Sequence, residues 1–263
     1  MNYKRLFKIL LYDKPLLTGI LFFIMPIAVV IGYAIRPYVT MQEDAWLYMT
    51  GAVNILNGRG YVDSDWMPIQ ARGPMLSIIM AISMWMNGGT TPENAIILVV
   101  VINLIGLLFL GLIGERFIGK GVGIMGVGII LNIPFLKDYL FSRLMTDGLQ
   151  SGLFITYLFF CLLVIETGNI KYWRFIGVIL GIAFLAKESS ILWAPLPLIM
   201  ILIDRRITPN NLRLEANKLL NFISYFFISI FPWFVYFYQV TGNIFFMDRI
   251  NDQIYKLQAL VGF

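Results

Sequence analysis

Apolar residues in this chain gather into long uncharged runs, and the segments between them are short and charged. Leu16 to Ile35 is an uncharged run of 20 residues. As a helix rising about 1.5 Å per residue it covers a hydrocarbon core of about 30 Å. Further runs are Ala95 to Gly114, Gly121 to Leu136, Leu149 to Ile165, Phe175 to Ala186, Ser189 to Ile203 and Leu219 to Val240. Met75 to Met86 and Phe175 to Ala186 are equally short at 12 residues each, so length does not settle which of the two crosses. The pattern predicts an all-α integral membrane protein.

Composition supports this reading. The 263 residues are 59% hydrophobic and 13% charged, with a mean hydropathy of +0.79, well outside the balance of soluble domains. The net charge of +5 is too small and too interrupted by apolar runs to point to nucleic acid. There is one cysteine, Cys161, and no histidine. Disulfide frameworks, the usual zinc constellations and Cys-His or Ser-His-Asp nucleophiles are therefore excluded. Acid–base work falls to carboxylates, with Lys, Arg or Tyr assisting. No spacing calls for a cofactor, and a divalent cation is permitted but not indicated. The first run is too long for a signal peptide and lacks a small-residue cleavage site, so it reads as a retained helix.

Charge sets the orientation. With the N-terminus in the cytoplasm and Met75 to Met86 not crossing, the inner side holds Lys4, Arg5, Lys8, Lys14, Arg116, Lys120, Lys171, Arg174, Arg205, Arg206, Arg213 and Lys218. That is 12 of the 20 basic residues against five of the 15 acids, as the positive-inside rule requires. The expectation is seven spans in the plasma membrane, with the N-terminus inside and the C-terminus outside. Residues 1–240 form the membrane module, with a first outer loop over about 37–94, and 241–263 form an outer tail. Phe175 to Ile203 then crosses twice, turning at Lys187-Glu188.

This topology gathers four charged sites on the outer face: Glu43-Asp44 with the loop to Arg72, the segment ending at Asp147, Lys187-Glu188, and Asp248-Arg249. Glu43-Asp44 is either a solvated acid pair or a general base at the membrane boundary, where adjacent carboxylates split their pKa values. The next residues, "AWLYMTGAVNILNGRGY", place Trp46, Met49, Val53 and Leu56 at helical spacing and predict a surface helix. Arg72 is either an interfacial anchor or a bidentate ligand for a lipid phosphate. Thr146 or Asp147 can cap the helix that follows them. Lys187 and Glu188 can neutralise one another at the hairpin tip.

In order, these elements resemble the GT-C membrane glycosyltransferases, in the branch of the aminoarabinose, protein O-mannosyl and rhizobial galacturonosyl transferases. The likeness lies in "QEDAWLYMTGAVNILNGRGY", "ARGPMLSIIMAI", "RLMTDGLQSGLF", "GIAFLAKESSIL" and "FPWFVYFYQVTGN", and covers roughly residues 10–247. It implies transfer of a sugar from a polyprenyl-phosphate donor to a lipid, glycan or protein acceptor on the outer face, with inversion. It implies Glu43 and Asp44 as catalytic residues, Arg72 and Lys187 on the donor phosphate, and Asp147, Glu188 and Tyr61 in support or at the acceptor. The family pair is usually Asp before Glu, and the reversed order here leaves open which carboxylate is the base. Family members also continue into further helices and often an outer domain, which makes 241–263 the expected start of such a region. The competing class is a non-catalytic membrane protein, a lipid-linked sugar carrier or a subunit of an envelope assembly.

Overall fold

The computed structural model describes residues 43–70, 72–119, 121–203 and 212–242. The predicted first span, Lys120, Arg205, Arg206, Asp248, Arg249 and most of the predicted tail lie outside the described residues, as does the side chain of Glu43. Among the described residues the fold is entirely helical, with one isolated bridge between Val62 and Pro68.

The helices are α1 (Glu43–Leu56), α2 (Met75–Asn87), α3 (Pro92–Ile113), α4 (Val122–Asn132), α5 (Pro134–Phe141), α6 (Thr146–Thr167), α7 (Ile170–Ala186), α8 (Pro195–Ile203) and α9 (Leu212–Thr241). A π-helical turn, Gly114–Ile118, extends α3, and a 3₁₀ segment, Glu188–Trp193, precedes α8. Thr91 caps α3 by accepting from the Asn94 N–H, with Pro92 at the first helical position. Asn169 caps α7 in the same way by accepting from the Lys171 N–H.

Three segments are long and apolar enough to cross a membrane: Pro92–Ile118, Thr146–Thr167 and Ala216–Thr241. The expected seven spans are therefore not reached among the described residues. Two of the predicted runs are interrupted. The run Gly121 to Leu136 breaks at Ile133, which is extended (φ −85°, ψ 110°), because Pro134 disfavours helical backbone in the residue before it. The run Ser189 to Ile203 divides into the 3₁₀ segment and α8. Helix α2, at 13 residues, rises only about 20 Å.

Backbones approach closely where glycines meet, as expected of helices that pack by van der Waals contact in lipid. A Cβ on Gly106 of α3 would lie 2.8 Å from Gly152 Cα of α6. A Cβ on Gly181 of α7 would lie 2.6 Å from Ser229 Cβ of α9. The core between these crossings is filled by Leu76, Met80, Ile96, Leu107, Leu149, Tyr157, Trp173, Ile176 and Leu180, all fully buried. A second apolar cluster, formed by Tyr61, Ile69, Leu185, Ile230, Trp233 and Phe237, joins the loop after α1 to α7 and α9.

The predicted surface helix forms as α1, but its buried stripe is Ala45, Tyr48, Met49 and Ala52. Trp46, placed on the apolar face by sequence, is 59% exposed. The Ser77 hydroxyl donates to the Tyr48 carbonyl at 2.8 Å and fixes α2 against α1.

Candidate active site

Residues four apart share a helix face, so the first turn of α1 presents Asp44 and Tyr48 together. The loop after α1 folds back on the helix, where the Asn54 amide donates to the carbonyls of Val62 and Asp63 at 2.9 and 3.0 Å. Tyr61 then pins the loop. Its N–H donates to the Tyr236 hydroxyl at 2.8 Å, its ring meets Trp233 edge-on at 5.5 Å, and its own hydroxyl donates to the Gly73 carbonyl at 3.2 Å. Burial pushes the Tyr61 hydroxyl far above its ordinary pKa, so it remains a donor.

Gly73 lies against the last turn of α7, where any Cβ would overlap the Leu185 carbonyl. Two residues beyond Leu185, the helix stops at Lys187, whose backbone is extended (φ −156°, ψ 121°). Arg72 and Lys187 are thus brought to one place by backbone packing.

Each cation meets a carboxylate from another element. Arg72 Nη2 lies 3.0 Å from both Oδ1 and Oδ2 of Asp44. Lys187 Nζ donates to Asp147 Oδ1. With Glu188 and Tyr48 these residues line one cavity of about 180 Å³. Burial pushes the Tyr48 hydroxyl up to about 12, although its hydrogen bond with Thr146 and the charge of Arg72 pull the other way. It stays protonated at neutral pH and can donate a hydrogen bond, but it cannot take a proton.

Five sequence-predicted site residues, Asp44, Arg72, Asp147, Lys187 and Glu188, therefore share the cavity lining. Tyr61 supports it from behind. Glu43 is the first residue of α1, next to Asp44.

Two expectations change. Asp147 and Thr146 do not cap α6: the cap position is Met145, which makes no side-chain cap, and Asp147 sits in the first turn, where the positive end of the helix dipole favours a carboxylate. Lys187 pairs with Asp147 across the cavity, whereas neutralisation by Glu188 is one of the two sequence readings of that adjacent pair. Tyr48, Gly73 and Tyr236 were not singled out from the sequence. The i, i+4 spacing from Asp44 could have found Tyr48, whereas nothing local marks Tyr236, 175 residues from its partner.

No curated protein matches the chain, and no solved structure does. Residues 71–236, more than half of the chain, match the family described as dolichyl-phosphate-mannose-protein mannosyltransferase. That stretch contains Arg72, Asp147, Lys187 and Glu188, and it begins after Glu43, Asp44 and Tyr61. The chain belongs to this family of GT-C glycosyltransferases.

Proposed function

We propose that the protein transfers a sugar from a polyprenyl-phosphate donor to an acceptor hydroxyl on the outer face of the plasma membrane, with inversion at the anomeric carbon. One observation carries the reading: in a family of lipid-phosphate mannosyltransferases, a single cavity gathers carboxylates and cations from four separate segments of the chain. The acceptor oxygen attacks C1 of the sugar and the bond from C1 to the phosphate oxygen breaks, its electron pair leaving with the phosphate. The acceptor proton passes to Glu43 or Asp44. Arg72 and Lys187 stabilise the phosphate as its charge grows, the kind of fixed electrostatic support that lowers a barrier most when water is partly excluded. Attack opposite the leaving phosphate inverts C1. Because Tyr48 keeps its proton, the base is a carboxylate.

The test supplies purified protein in nanodiscs with polyprenyl-phosphate mannose and an envelope extract as the source of acceptor hydroxyls, and follows release of polyprenyl phosphate, alongside mass spectrometry of envelope glycans with and without the gene. Sugar transfer that depends on the protein is the expected result, and a glycan profile unchanged by loss of the gene, with no release in vitro, would refute the reading. The orientation has its own test. Cysteines placed at Asp63 and Lys187 should be labelled from outside by an impermeant thiol reagent, and one at Lys171 should not; outside labelling at 171 would overturn the proposed topology.

A further inference from the structure

We propose that Asp44 and Asp147 occupy, in the resting cavity, the places taken by donor phosphate oxygens, so that donor binding displaces them and releases Asp44 from Arg72. The inference rests on the glycosyl-transfer reading above.

Charge balance leads to it. Among the described residues lining the cavity, Asp44, Asp147 and Glu188 stand against two cations, Arg72 and Lys187, a formal charge of −1. An anionic headgroup entering with every pair intact would meet repulsion, and Arg72 Nη2 and Lys187 Nζ would each already be bonded to a carboxylate. Carboxylate and phosphate oxygens suit the same guanidinium and ammonium donors, so one can replace the other. Both cations are within reach, since the Arg72 side chain is 28% exposed and that of Lys187 39%. A displaced Asp147 keeps a polar neighbour in the Tyr139 hydroxyl, which lies close enough to feel its charge. A displaced Asp44 loses its cation and remains next to Glu43 in the first turn of α1. Its oxygens are then no longer held by the guanidinium and are open to an acceptor hydroxyl, which couples donor binding to release of a candidate base.

The test titrates farnesyl phosphate, a short isoprenyl phosphate, into the full chain in nanodiscs, and repeats the titration with Asp44→Asn and Asp147→Asn. The amide keeps the shape and loses the charge. Removing a competing like charge a few ångströms from the ligand should tighten binding about five- to tenfold in each variant. Thermal unfolding checks that each variant is folded, and either one alone carries the test. Tightening supports the displacement at the pair concerned. If the unaltered protein binds the probe and both variants bind it equally or more weakly, the carboxylates only position their cations and the inference falls while the glycosyl-transfer reading stands. Absence of binding in all three proteins overturns the donor reading itself.

Discussion

The two ends of α6 carry two different kinds of ion pair. At the C-terminal end, Glu166 meets Arg116 in a matched fork, with Nε to Oε2 and Nη2 to Oε1 both at 2.8 Å. At the N-terminal end, Asp147 meets Lys187 beside a second pair, Asp44 with Arg72, and a third carboxylate, Glu188, around a cavity. The first arrangement is one acid for one base in complementary geometry, which is enough to tie α6 to the end of α3. The second has a surplus of acid around open space. Charge in an apolar chain therefore marks a helix end as readily as a site; what separates the two is whether the charges surround a volume that a substrate can enter.

Substitutions that treat the two ends alike should sharpen that contrast. The largest effect is expected at the carboxylates of α1. Glu43→Gln and Asp44→Asn should each reduce transfer, the variant lacking the base by about 10²-fold or more with donor binding not weakened, while Glu166→Gln should stay within about threefold. Initial rates with saturating donor measure this, and equal losses at the two ends would erase the distinction.

Next come the cations. Arg72→Ala should weaken donor binding about tenfold or more, Arg72→Lys should recover part of the loss because the planar fork is gone, and Lys187→Ala should act in the same direction. Arg116→Ala should leave donor affinity unchanged in the same titration. Gly73→Ala comes third. Its Cβ would overlap the backbone carbonyl of Leu185, which cannot rotate away, so a cost of about 1–3 kcal/mol is expected as lowered thermal stability together with weaker donor binding. The smallest effect belongs to Tyr236→Phe, which removes the acceptor of the Tyr61 N–H and should cost about 1 kcal/mol with little change in turnover. A tenfold fall in turnover there would make the hydroxyl more than an anchor for the loop.

Much of the site was legible because charge is scarce in this chain. Asp44, Arg72, Asp147, Lys187 and Glu188 are conspicuous between apolar runs, and the positive-inside count gathers them on one side of the membrane. Their partnerships were not legible. Lys187 and Glu188 are neighbours in sequence and line the same cavity, but the ion pair Lys187 makes is with Asp147, 40 residues away on another helix. Apolar spacing put Trp46 on the apolar face of α1, whereas the short residues Ala45 and Ala52, with Tyr48 and Met49, are the ones buried. Hydropathy also reads Gly121 to Leu136 as one run, because an apolar average carries no mark of the helix break that Pro134 imposes. The hold of Tyr236 and Trp233 on Tyr61 depends on how α9 packs against α7, which no local window contains.

That break has a consequence for how the protein meets lipid. Helix α4, with 11 residues, rises about 16 Å, roughly half the hydrocarbon thickness, so it cannot cross alone as a continuous helix. Backbone polar groups freed at Ile133 and Pro134 need partners, and lipid offers none. The Ile133 N–H already turns back to the carbonyls of Ile129 and Ile130, and Gly123 fits against Gly111 and Gly114 with no room for a side chain between them. The segment therefore depends on α3, whose glycines it packs against, and the two act as one paired unit wherever they meet lipid.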